Sequence, residues 1–146
     1  MIINENLNHL IGVTWGVLGA AEACYEIARD YVIERKQFDI PLSQNQIIQQ
    51  KLTDMCTEIT LGLHATYRLS KLIDQGEYLS NEAYMLKRNN TRKALEIARQ
   101  ARDMLGSNGT LDEYGVIRHM LNLESANTYG GTYDYLSCVV GEAIVD

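Results

Sequence analysis

The 146-residue sequence carries a formal net charge of −6, is 46% hydrophobic and 22% charged, and contains one proline and eleven glycines. That is enough chain for one compact core and too little for two, and long stretches free of proline and glycine predict an all-α fold. No Lys/Arg cluster exceeds the pair Lys87-Arg88, which excludes the electrostatic footprint of a nucleic-acid binder.

From Ile11 the apolar positions Trp15, Leu18, Ala21, Tyr25, Ala28 and Val32 recur every three or four residues, predicting a first helix from about residue 7 to 36. Its most apolar run, Ile11 to Cys24, is interrupted by Thr14 and Glu22 and falls short of the roughly 20 residues of a bilayer span. Asn4, Glu5 and Asn6 stand where a signal peptide would carry positive charge, so a soluble cytoplasmic protein is expected. Pro41 stops the helix, because the residue before a proline is disfavoured in the helical region. Ser43-Gln44-Asn45-Gln46 fits a capping box, a hydroxyl followed three residues on by a glutamine.

A second long helix then runs to about Asp74 with the stripe Ile48, Leu52, Met55, Ile59, Leu63 and Leu69, and Gly76 is its left-handed C-terminal cap. Ser80-Asn81-Glu82 starts a third, with the face Met85, Leu86, Ala94, Ile97, Ala98, Ala101, Met104 and Leu105. Gly106-Ser107-Asn108-Gly109 breaks the chain. A shorter helix from about Glu113 to Asn127 and a last one from about Thr132 to Val145 follow. Short connections predict an up-and-down bundle of three long and two shorter helices.

The three cysteines, Cys24, Cys56 and Cys138, lie far apart and read as buried reduced thiols rather than a disulfide framework. His9, His64 and His119 have no ligand spacing, so no metal site is expected. A bundle of this kind serves enzymes, adaptors and scaffolds alike.

The strings Trp15-Gly16-Val17-Leu18-Gly19-Ala20, Arg35-Lys36-Gln37-Phe38-Asp39-Ile40-Pro41-Leu42 and Thr57-Glu58-Ile59-Thr60-Leu61-Gly62-Leu63-His64 resemble the C-terminal domain of acyl-CoA dehydrogenases. Leu86-Lys87-Arg88-Asn89-Asn90, Ala98-Arg99-Gln100-Ala101-Arg102-Asp103-Met104-Leu105-Gly106 and Asn127-Thr128-Tyr129 take the form found in glutaryl-CoA dehydrogenases. Of the family's three parts, an N-terminal helical domain, a β-domain and a helical bundle, the resemblance covers only the last. It implies an FAD-dependent oxidoreductase acting on CH-CH bonds, with FAD lying across a subunit boundary.

Carried over by the resemblance, Arg35 approaches the FAD pyrophosphate, for which a guanidinium fork is well suited. Gln46 is a second contact beside its capping role. Asp103-Met104-Leu105-Gly106-Ser107 runs along the adenosine end, with Ser107 in place of the family's second glycine. Thr132 touches flavin or simply caps the last helix, and Gly131 lies on the substrate side.

The reaction class removes an α-proton of an acyl-CoA with a carboxylate while hydride leaves to the flavin. In glutaryl-CoA dehydrogenases a glutamate stands between the motif's tyrosine and Gly-Thr; here Tyr129-Gly130-Gly131-Thr132 puts Gly130 there. Relatives with glycine at this place carry the glutamate on the first helix, at the position of His9, before an arginine replaced here by Leu10. An imidazole can act as a base in principle. Glu124, Asp134 and Glu142 do not match the base positions, and the substrate-side stretch at residues 3 to 10 departs from the pattern. Tyr129, Tyr133 and Tyr135 are expected near the old active site.

Two functions follow. One is part of a split or fragmentary dehydrogenase that binds FAD with a partner chain supplying the missing domains. The other is a non-enzymatic pseudoenzyme whose bundle only oligomerises. A homo-oligomer, dimer or tetramer, fits both, and binding of acyl-CoA is in doubt because the substrate side is incomplete.

Overall fold

The computed structural model describes residues 2–146, with side chains described from residue 7 onward. Five helices, α1 (Ile2–Glu34), α2 (Gln46–Asp74), α3 (Ser80–Met104), α4 (Val116–Ala126) and α5 (Tyr133–Val145), make the expected bundle. Cross-links between helices set their directions. Trp15 Nε1 donates to Ser70 Oγ at 3.1 Å, Lys51 Nζ to Asp103 Oδ2 at 2.6 Å, and Thr91 Oγ1 to Asn127 Oδ1 at 3.2 Å. With Leu18 also meeting Gly62, Thr66 meeting Asn90 and Arg99 pairing with Glu124, later residues of each helix face earlier residues of the next, so α1 to α4 run antiparallel in succession.

The core forms where small residues of α1 let other helices come close. Ala21, Cys24, Ala28 and Val32 are fully buried against Met55 and Ile59 of α2 and Ala94, Ile97, Ala98 and Ala101 of α3. A Cβ on Gly62 would meet Leu18 Cδ2 at 2.7 Å, so α1 and α2 come close at this point. Leu7, Leu10, Leu69 and Ala83 form a second, smaller cluster near the start of α1.

Several boundaries differ from the sequence reading. The first helix starts earlier and ends sooner, because residues 36–41 form a hairpin of β1 (Lys36–Gln37) and β2 (Ile40–Pro41), Lys36 opposite Pro41. Its turn holds Phe38 (φ 51°) and Asp39 (φ 62°) in the left-handed region, as a two-residue type I′ turn requires. The capping box is not formed. Asn45 caps α2 by accepting from Ile47 N at 2.9 Å, while Ser43 lies in a 3₁₀ turn, Leu42–Gln44. Gly106–Thr110 is a 3₁₀ turn rather than a plain break, and a further one, Asp112–Tyr114, delays the fourth helix to Val116 beyond left-handed Gly115.

Other local expectations hold. Gly76 (φ 91°) ends α2, with Gly76 N donating to Ile73 O and Glu77 N to Leu72 O, the paired bonds of a Schellman cap. Thr132 caps α5 by accepting from Tyr135 N at 3.2 Å. Of the apolar stripes, Trp15 and Met85 are exposed instead of buried. Of the cysteines, Cys24 alone is buried, its thiol pushed up to about 12 by desolvation; Cys56 and Cys138 are exposed. Within Leu7–Glu34 an 18-residue window of α1 reaches a mean hydropathy of 1.2, so this helix is long and apolar enough for a membrane span by length and composition, which the interrupted run Ile11–Cys24 does not suggest. That composition suits its place among α2, α3 and α4, all of which it touches.

Candidate functional site

The antiparallel arrangement sorts the candidate residues into two groups. Arg35 and His9 sit 26 residues apart along α1, a separation of about 39 Å at the helical rise. Around Arg35 gather the start of α2 with Gln46 and the end of α3 with Asp103 to Ser107; around His9 gather Gly130, Gly131 and Thr132.

At the first end Arg35 and Gln46 are exposed, and among the described residues the Arg35 guanidinium has no hydrogen-bond or ion-pair partner. The turn of the hairpin that follows holds Phe38 95% exposed. Lys51 engages Asp103 and, by that hydrogen bond and its charge, holds the carboxyl below the usual carboxylate range. Met104 and Leu105 are buried in the core. Gly106 is left-handed (φ 61°) and Ser107 is exposed, its carbonyl accepting from Thr110 Oγ1 at 2.7 Å. Behind them a Cβ on Gly109 would overlap the Arg102 carbonyl, so the segment closes tightly onto the end of α3. Asn108 Nδ2 donates to Tyr31 Oη at 3.1 Å, tying the same segment to α1.

At the second end a polar network crosses the core. Asn90 Nδ2 donates to Thr66 Oγ1 at 3.0 Å, Thr91 Oγ1 reaches Asn127, and Lys87 Nζ donates to Gly131 O at 2.6 Å. Buried polar groups persist only when hydrogen-bonded, and here they fasten the loop after α4 to α3. Lys87 is fully buried, and desolvation lowers its pKa from the ordinary lysine value. The loop turns through Gly130 (φ 64°) and Gly131 (φ 98°), and a Cβ on Gly131 would meet Leu136 Cδ2 at 2.8 Å.

Gly130 has room where Gly131 has none. A Cβ built there would lie 3.7 Å from His9 Nε2 and 4.0 Å from Lys87 Cε. The exposed His9 ring stands 6.3 Å from that of Tyr129, at the mouth of a groove of about 610 Å³ between α1 and α4 that Gly12, Gly16, His119 and Asn122 also line. Tyr133 lies under the Arg88 and Arg92 guanidiniums, 4.2 and 4.8 Å from its centroid, and Tyr135 faces outward. Glu124 is paired with Arg99, while Asp134 and Glu142 are exposed on α5. Of the substrate-side stretch at residues 3 to 10, the side chains of 3–6 lie outside the described residues.

The model of the acyl-CoA dehydrogenase C-terminal domain matches residues 2–145. The chain belongs to the acyl-CoA dehydrogenase family. It is 32% identical over 145 residues to an acyl-CoA dehydrogenase of Bacillus subtilis, covering 99% of this chain and 38% of that one. Among solved structures it is similar to glutaryl-CoA dehydrogenase from Mycobacterium smegmatis, with 41% identity and a TM-score of 0.93 over 95% of this chain and 36% of that one. A second structure of a glutaryl-CoA dehydrogenase from that organism, in complex with FADH2, matches with 37% identity and a TM-score of 0.91 over 94% of this chain and 36% of that one. The chain thus spans little more than a third of the length of these acyl-CoA dehydrogenases.

Sequence reasoning did not single out Lys87 or Asn90, which read as polar positions on a helix. The available signal was their spacing: Lys87, Asn90, Thr91 and Ala94 fall on the buried stripe of α3.

Proposed function

We propose that this chain is the flavin-holding helical domain of an acyl-CoA dehydrogenase of the glutaryl type, unable to carry out the dehydrogenation alone. Arg35, Gln46 and the backbone of residues 103–107 form one half of an FAD site; Thr132, with Gly131 on the substrate side, belongs to the other. The observation that carries this reading is their separation along α1. Two copies packed with the Arg35 end of one against the Thr132 end of the other bring both halves to one cofactor. FAD binding therefore requires a homo-oligomer, a dimer or a tetramer, or a partner chain that supplies the remaining domains. The exposed guanidinium of Arg35 offers two donors to a pyrophosphate.

The dehydrogenation fails for want of a base. Glycine at position 130 carries no group able to take a proton, and Glu124 is engaged by Arg99. A second reading, in which His9 takes the proton, is favoured by one contact: its Nε2 stands beside the position of the missing side chain.

The test is the flavin content of the purified chain, as isolated and after incubation with FAD and desalting, with native mass recorded. Retained flavin in an oligomer, lost in Arg35→Ala and lost on dilution to monomer, is the expected result. A stable oligomer that takes up no FAD, alone or with a chain supplying the other domains, overturns it in favour of the non-enzymatic bundle.

A further inference from the structure

Side chains of α3 hold the segment that joins α4 to α5 at both ends. Thr91 Oγ1 reaches Asn127 Oδ1 at 3.2 Å, and Arg88 donates through Nε to Ser137 Oγ and through Nη2 to Tyr133 Oη, both at 2.5 Å. Between these anchors lies the turn Tyr129–Thr132, in which Gly130 and Gly131 are both left-handed. Consecutive glycines let the peptide groups around them rotate at little steric cost. The bond from the fully buried Lys87 Nζ to Gly131 O, at 2.6 Å, opposes that rotation.

It fixes more than the carbonyl. In a trans peptide the C=O and the following N–H point in opposite directions, and none of the described peptide bonds is cis. With the Gly131 carbonyl drawn to a buried ammonium of α3, the Thr132 N–H points away from α3, on the side where Thr132 itself is exposed. Thr132 uses its carbonyl for Leu136 N and its hydroxyl for Tyr135 N in capping α5, so the N–H is the backbone group it presents outward. An ammonium on the carbonyl also polarises that peptide unit, which strengthens its N–H as a donor.

We infer that Lys87 is a positioning residue for the half-site at Thr132: by holding the Gly131 carbonyl inward it turns the Thr132 N–H outward as a hydrogen-bond donor to the bound cofactor. The acceptor in this inference rests on the reading of Thr132 as a flavin contact, whereas the direction of the peptide does not. Lys87 acts through the turn and touches no ligand.

The 146-residue chain, in the oligomer it forms, is labelled with 13C and 15N, and the Gly131 carbonyl shift, the nuclear Overhauser contacts of the Thr132 amide and its exchange with solvent are compared in the parent, Lys87→Met and Thr91→Val. Methionine keeps an unbranched chain in the core and removes the donor; valine removes a different bond of the same network. Lys87→Met should shift the Gly131 carbonyl and change the contacts of the Thr132 amide, while Thr91→Val leaves both as in the parent. With FAD present, Lys87→Met should weaken retention about tenfold, the scale of one charge-assisted hydrogen bond, and Thr91→Val should not. An unmoved Thr132 amide in Lys87→Met, or equal loss of FAD in both variants, overturns the inference. Should Lys87→Met fail to fold, the parent decides, since a Thr132 amide protected from solvent and in contact with α3 overturns it as well. If the parent takes up no FAD while the peptide turns in Lys87→Met, the flavin reading falls and the positioning of the turn by Lys87 stands.

Discussion

At the Arg35 end the candidate side chains stand in the open on segments braced from behind, whereas at the Gly130 end an exposed histidine and a turn of two glycines accompany a buried lysine. The first end presents an exposed guanidinium, an exposed aromatic ring and the exposed Gly106-Ser107 turn, and its tight packing lies one layer deeper, where Gly109 sits on the Arg102 carbonyl. The second end holds the Lys87 ammonium inside, and a Cβ at Gly130 would make ordinary contacts with His9 and Lys87. An exposed site can change single side chains at little cost to the fold. A buried one couples each change to the network that supports it.

The largest effect that separates the two ends is expected from adding one methyl group at each. Gly109→Ala forces backbone apart and should cost about 1–3 kcal/mol or more, whereas Gly130→Ala meets only ordinary contacts and pays for its left-handed φ alone, about 1 kcal/mol. Equal losses in thermal or denaturant unfolding would erase the distinction.

A smaller effect tests the buried charge. The folded-state pKa of Lys87 lies below its unfolded value of about 10.4. The unfolded chain therefore holds this proton more tightly, and stability gains from this group as pH rises from the lowered value to the ordinary one. Unfolding across that alkaline window should show a positive contribution to the slope in the parent that Lys87→Met lacks; identical slopes would mean that the ammonium is solvated.

The smallest belongs to the open end. Lys51→Ala removes the partner of Asp103 in a pair that is partly solvated, so a loss below about 1 kcal/mol is expected. Because Asp103 titrates below its usual range when folded, its contribution is present at neutral pH and disappears as pH falls through that lowered value. A loss well above 1 kcal/mol would mark the Arg35 end as braced by charge.

The helices, their order and their antiparallel succession were legible in the sequence, because periodicity and caps are local and Gly76 and Thr132 act within one turn of where they stand. The choice between Ser43 and Asn45 as cap was less so, since both have a suitable side chain and the hairpin before α2 decides which one meets the first free amide. Motif matches named Arg35, Gln46, residues 103–107, Gly130, Gly131 and Thr132 one at a time. Only tertiary structure could show that they divide between two ends about 39 Å apart, because that separation depends on the straight run of α1 and the direction of its neighbours. The same holds for Lys87, His9 and Gly130, distant in sequence and adjacent in space. A sequence states which groups a chain possesses, while the desolvation of Lys87 and its bond to the Gly131 carbonyl arise only when α3 and the loop after α4 close on one another.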